Sequence, residues 1–167
     1  MKRLNKLKKA PIEMTQLLAD SEQLQRLLCI DVVDIEKEEF HKMTYQDIME
    51  KRYISFAPTD DAIKNITDSL GRNTFLIIVP TFFSKNGELS GLIYIGTNHN
   101  HQMVSNNRFR LIELVDEIIK CLDNKKVSSA GTIHIENASS VVYSQFTFGY
   151  KIEFNIHDLA DVEYPDF

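Results

Sequence analysis

From Phe146 to Ile156 every second residue is apolar: Phe146, Phe148, Tyr150, Ile152, Phe154 and Ile156, with Thr147, Gly149, Lys151, Glu153 and Asn155 between them. A period of two predicts a strand with one face in a core. Its expected partner is a helix over 108–124, where Leu111, Leu114, Val115, Ile118, Ile119 and Leu122 form one stripe at helical spacing. Arg110, Glu113, Asp116, Glu117 and Lys120 fall mostly on the opposite side. Leu111, Val115, Ile118 and Leu122 are expected to pack on Phe146, Phe148, Ile152 and Phe154. Asn124 suits the left-handed residue that ends such a helix.

Upstream, TFLIIVPTFF (74–83) and LSGLIYIGT (89–97) are β-branched and aromatic runs joined by SKNGE (84–88), whose Asn86-Gly87 reads as a hairpin turn. Both runs are apolar at successive positions, so both faces of this hairpin are expected to be covered. Pro80 lacks a ladder donor and is expected at a bulge or an edge. TIHIE (132–136) alternates as a further strand, with the turn expected at Ala138-Ser139-Ser140. Residues 12–30 show helical periodicity through Met14, Leu17, Leu18, Leu24, Leu27 and Leu28. Asp20-Ser21-Glu22 is a break or a fresh N-cap, so the pattern fits one helix or two. Residues 31–73 are acidic at first. YISFAP then suits a short strand, Thr59-Asp60-Asp61 a helix start and LGRN (70–73) a turn. The order predicts an α+β domain with a mostly antiparallel sheet of about four to five strands and helices packed on one face.

A chain of 167 residues is about one domain, and 43% hydrophobic residues allow a real core. The expected layout is a basic N-terminal arm over 1–11, ended by Pro11, a single domain over 12–157, and an acidic tail over 158–167. The net charge of -5 argues against a dedicated nucleic-acid binder. The arm, with Lys2, Arg3, Lys6, Lys8 and Lys9, is nevertheless a candidate for phosphate or for an acidic partner. No apolar segment follows those cations, and no run approaches the roughly 20 residues of a bilayer span. A cytoplasmic setting with no membrane partner is therefore expected. Cys29 and Cys121 read as separate buried thiols.

Candidate chemistry is sparse. His99-Asn100-His101 spells HNH, but a catalytic metal needs about three ligands and no third lies nearby in sequence. His134 alternates with Ile133 and Ile135 and should point away from them. Asp123-Asn124-Lys125 is the nearest approach to a nuclease acid-lysine pair, and it lies at a helix end rather than on a strand. No phosphate-binding glycine loop and no nucleophile elbow occurs in the sequence. The chain reads as a non-enzyme with no cofactor and no metal.

The segment from Asn106 to Asn155 resembles small tail-terminator and tail-completion (neck) proteins of tailed bacteriophages. Arg108 and Arg110 open a helix carrying Ile112 and Ile118, and Asn124-Lys125-Lys126 closes it. Ser129-Ala130-Gly131 leads into a strand, while Phe148-Gly149-Tyr150 and Phe154-Asn155 mark the last one. The hairpin 74–97 and the helix ending QLQRLLC are similar too. The resemblance implies a structural virion protein, assembled in the host cytoplasm, that forms a ring, typically a hexamer, capping the tail tube and joining it to the head connector. Its implied partners are itself, the tail tube protein and head-tail connector or neck proteins, with transient contact to phage DNA in the lumen. A head-completion or collar protein at the same junction is the alternative, as is a DNA-interacting accessory protein using the basic arm. Arg108, Arg110, Lys125 and Lys126 are the candidates for a subunit or lumen surface. Lys6, Lys8, Lys9, Tyr164 and Phe167 are the candidate terminal-arm contacts. Gly149, between Phe148 and Tyr150, is where a neighbouring backbone is expected to come close.

Overall fold

The computed structural model describes residues 2–57, 72–83, 88–127 and 131–157, without the side chains of 2–8, 82 and 83. The hairpin turn at 84–87, the helix start at Thr59 and the acidic tail fall outside these residues. The order is α1 (Lys2–Ala19), α2 (Glu22–Cys29), α3 (Tyr45–Glu50), β1 (Ile54–Phe56), β2 (Thr74–Phe83), β3 (Leu89–Asn98), β4 (Met103–Val104), β5 (Arg108–Phe109), α4 (Arg110–Leu122), β6 (Lys126–Val127), β7 (Gly131–Val142) and β8 (Thr147–His157). Six strands form one sheet in the order β1-β2-β3-β8-β7-β6, and β4 pairs with β5 separately. Only β1 runs parallel to its neighbour. The fold is α+β, with one strand more than the sequence suggested.

Local chemistry sets several of these boundaries. The Ser21 hydroxyl accepts from the Leu24 amide at 3.0 Å, so the chain breaks and starts α2 afresh there. Asn124 takes the left-handed conformation at φ 59° just after α4. Pro80 sits where the β2–β3 register slips between Pro80 and Phe82, the bulge that its missing N–H favours. Burial also alternates as two covered faces require. Leu76, Ile78, Ile93 and Ile95 join the main core with the helices, while Phe75, Ile77, Val79 and Tyr94 form a second cluster on the other face.

Three expectations are corrected. The basic arm is not separated by Pro11: α1 runs from Lys2 through it, and Ala10 is fully buried. The proline costs a helix bond, but the packing of Ala10 and Met14 holds the axis together. β7 does not turn at Ala138–Ser140; a bulge between Ile135 and Asn137 absorbs one residue, and pairing continues to Val142 opposite Phe148. The regular strand also leaves the core as it runs toward its start. Ile152, Phe154 and Ile156 are buried and Tyr150 is partly so. Phe148 is partly buried, and Phe146 precedes β8 at 53% exposed. The reason is length: the β7–β8 hairpin extends beyond the helix that covers it. Ile119, placed in the helix stripe, is likewise at the rim at 36% exposed.

Candidate functional site

The overhang creates a groove. The helix-side face of the distal hairpin presents Ser140, Val142, Phe148 and Tyr150, and the opposite wall is Gln102, Phe109, Leu111 and Ile112 at the start of α4. Together they enclose a volume of about 320 Å³. Val142 is 70% exposed, and Ile112 and Phe109 are more than half exposed. Isolated exposed apolar residues are ordinary, but a cluster lining one concavity marks a surface that another molecule covers. The lining is mostly apolar, with Gln102, Ser140 and Tyr150 as its polar side chains.

Both walls are held rigidly. At the hairpin tip Tyr143 folds over the opposite sheet face, where its hydroxyl donates to the Ile95 carbonyl at 3.0 Å and its ring packs edge-on against Phe75 at 5.0 Å. Burial pushes its phenol pKa well up. The ring crosses Gly149, where any Cβ would run into the Ile95 carbonyl oxygen and the Tyr143 ring. The close approach expected at Gly149 is therefore made, but by the neighbouring strand and Tyr143 of the same chain.

The other wall hangs on Arg110. Its guanidinium is fully buried and donates to the carbonyls of His101 at 2.8 Å, Leu27 at 2.5 Å and Val32 at 3.4 Å. Burial lowers its pKa, with the charge of Asp31 opposing. Arg110 thus ties the segment 99–109 to the end of α2, and it is no subunit or lumen surface. Its helical phase misled the sequence reading: as the first residue of α4, its long side chain can reach the carbonyls of Leu27 near the end of α2, Val32 and His101, and leave solvent entirely. Arg108 does reach the surface, one-third exposed, in ion pairs with Glu36 and with Glu113 at 3.2 Å. Ser105 donates to Glu36 at 2.5 Å and, with Arg108, docks the acidic stretch after α2 onto this wall; these contacts lower the Glu36 carboxyl pKa.

Lys125 and Lys126 are exposed beside β6, and Lys9 is exposed on α1. Lys6 and Lys8 lie on α1 with side chains outside the described set, and Tyr164 and Phe167 lie outside the described residues. The structure brings none of the four surface candidates into the groove. What sequence reading missed is the pair Phe109 and Val142, whose apolar character in polar surroundings was the available signal.

Next to the groove the sheet has an open margin. β6 pairs only with Gly131 and Thr132, and the Asp123 carboxylate takes the Ile135 amide at 3.0 Å. From Asn137 to Val142 no described strand flanks the outer side of β7. Among the described residues, the outward backbone groups of this stretch have no strand partner.

The histidines do not converge. His99 packs against Phe146 with ring centres 5.6 Å apart, and the buried Nδ1 of His101 lacks a partner. His134 points away from Ile133 and Ile135, as expected, and stacks on His157 at 4.6 Å. Among the described residues no cluster of three or more His, Cys, Asp or Glu side chains could hold a metal, and no helix is long and apolar enough to cross a membrane. Cys29 and Cys121 are free thiols; burial pushes Cys29 up to about 12 and raises Cys121.

No family model matches the chain, and neither does any curated protein or solved structure.

Proposed function

We propose that this chain is a structural protein that works by self-association, a tail terminator whose ring caps the tail tube of a bacteriophage and joins it to the head connector. The observation that carries the reading is the apolar groove of Phe109, Ile112, Val142 and Phe148 beside the margin of β7 that no described strand flanks. An exposed apolar concavity and a free strand edge are both unfavourable on an isolated subunit, and one neighbouring subunit covers both. A groove fits a projection rather than another groove. Contact of that kind is head-to-tail, and head-to-tail contacts close into rings when the rotation per subunit divides a full turn. The resemblance of residues 106–155 to tail-terminator and neck proteins supports the virion setting, the tail-tube partner and the absence of an active site.

Native mass spectrometry of the purified full chain tests the association, and cryo-electron microscopy of virions carrying a tagged copy tests the place. The expected result is a discrete closed oligomer seen as a ring between tail tube and head connector. A chain that stays monomeric at high micromolar concentration, or is absent from purified virions, overturns the reading.

A further inference from the structure

The open margin of β7 has a defined hydrogen-bonding phase. At the hairpin tip the Tyr143 amide donates to the Thr147 carbonyl at 3.0 Å, so the backbone of Tyr143 faces β8. Successive residues of a strand turn their backbone groups to opposite sides, and Asn137, Ser139 and Val141 therefore face β8 as well. Ala138, Ser140 and Val142 turn theirs outward, three amides and three carbonyls with no described strand beside them. Toward the start of β7 the stretch has a firm end. The bulge between Ile135 and Asn137 shifts the phase, and the outward amide of Ile135 is taken by the Asp123 carboxylate at 3.0 Å.

Composition favours a second copy as the partner. From Asn137 to Tyr143 the sequence is NASSVVY, without a charge and without a proline. Charged side chains and prolines are what guard an edge that has to stay unpaired. A charge-free strand also meets no repulsion when it faces itself.

The outward groups fix one register for that contact. Laid antiparallel with Ser140 opposite Ser140, the two copies set Ala138 of each against Val142 of the other. Each outward amide then meets an outward carbonyl, and the three amides of each copy make six bonds with nothing left over. A slip of one residue turns the facing groups away from each other, and a slip of two leaves one outward residue of each copy unmatched. In the matched register Tyr143 of the second copy falls opposite Asn137, short of the Asp123 bond. Small side chains line the seam on the groove face, where Ala138 and Ser140 receive the Val142 of the other copy, 70% exposed on a single subunit. The two grooves adjoin across the seam, since Ser140 and Val142 line each of them.

We infer that the free chain pairs with a second copy of itself along β7, Ser140 opposite Ser140 about a twofold axis, so that two six-stranded sheets become one continuous sheet. The pairing goes beyond the ring reading and stands without it. Where a ring forms, its head-to-tail neighbour takes the same margin, and the twofold pair is the chain before assembly.

Cysteines placed in the full chain read the register. Residues facing each other in a hydrogen-bonded pair have Cα atoms about 5.5 Å apart, within the span of a disulfide. Under mild oxidation Ser140→Cys should give a covalent dimer bridged from 140 to 140, with peptide mass spectrometry distinguishing it from bridges through Cys29 or Cys121. Ala138→Cys and Val142→Cys should each fail to bridge alone through the new thiol, and a mixture of the two should bridge 138 to 142. Sedimentation equilibrium gives the affinity. Ser140→Lys sets like charges face to face, and Ser140→Pro removes an outward donor without touching a bond to β8. Both should dimerise at least about tenfold more weakly while circular dichroism shows them folded. A purified chain that stays monomeric at high micromolar concentration overturns the pairing and the ring reading together. One that associates without a 140-to-140 bridge, or as tightly with both substitutions as without, overturns the pairing alone. The bridged pair in solution with no ring in virions overturns the ring reading alone.

Discussion

Replacing Arg110 with methionine isolates what holds one wall of the groove. Methionine keeps the apolar stem and removes the guanidinium, so the carbonyls of Leu27 and His101 lose a charged donor in a site closed to solvent. The third contact, to Val32 at 3.4 Å, is long and contributes little. Hydrogen bonds to charged groups contribute about 1.5–3 kcal/mol each, which makes the gross loss about 3–6 kcal/mol. Part of this is returned, because burying a guanidinium without a carboxylate in contact is itself costly, as its lowered pKa reflects. The expected net destabilisation is about 2–4 kcal/mol. With a urea dependence of about 2 kcal/mol per molar, the unfolding midpoint of Arg110→Met should fall by about 1–2 M. Arg110→Lys should recover little, because a single ammonium cannot span carbonyls on two sides of the site. Arg108→Met is the control, since its ion pairs are at the surface and contribute under about 1 kcal/mol. Urea denaturation followed by tyrosine fluorescence and circular dichroism reads all three. If Arg110→Met shifted the midpoint no more than Arg108→Met, the claim that a buried guanidinium anchors this wall would be refuted.

Other consequences follow from the same contacts. Val142→Asp and Phe109→Ser should leave the unfolding midpoint within about 0.5 kcal/mol of the unmodified chain, as exposed positions do, while lowering the oligomer fraction seen by light scattering. Ile152→Asp should abolish the cooperative transition because that side chain is fully buried, whereas Phe148→Asp, at a position only partly buried, should destabilise less. Gly149→Ala should lower the midpoint by several times more than Tyr143→Phe, which loses one hydroxyl bond and costs about 1 kcal/mol; comparable shifts would remove the close approach as an explanation. Stability should also fall at alkaline pH. The Cys29 thiol is raised from 9.0 to about 12 in the folded chain, so its contribution is complete below pH 9 and is lost as pH rises from 9 toward 12, at up to about 1.4 kcal/mol per unit. Cys29→Ala should flatten that part of the profile.

The strands and helices were legible because short-range periodicity records which side of an element meets the core. The stripe on α4, the N-cap at Ser21, the left-handed Asn124 and the bulge at Pro80 all depend on neighbours within a few residues. What periodicity cannot carry is how far one element extends beyond another. Phe146 and Phe148 continue the alternation of Ile152 and Phe154 without a break, yet the helix above them leaves Phe146 exposed and Phe148 only partly buried, and a core face becomes a groove. Arg110 shows the converse: its charge and phase pointed outward, and three distant backbone carbonyls drew it inside. The continuation of β7 past Ala138 was decided by pairing with β8, since partners across a sheet can override local turn residues. By itself, then, the chain determined its elements and the apolar face of each. The tertiary structure alone decided which parts of those faces stay uncovered, because exposure depends on the relative lengths and offsets of elements far apart in sequence.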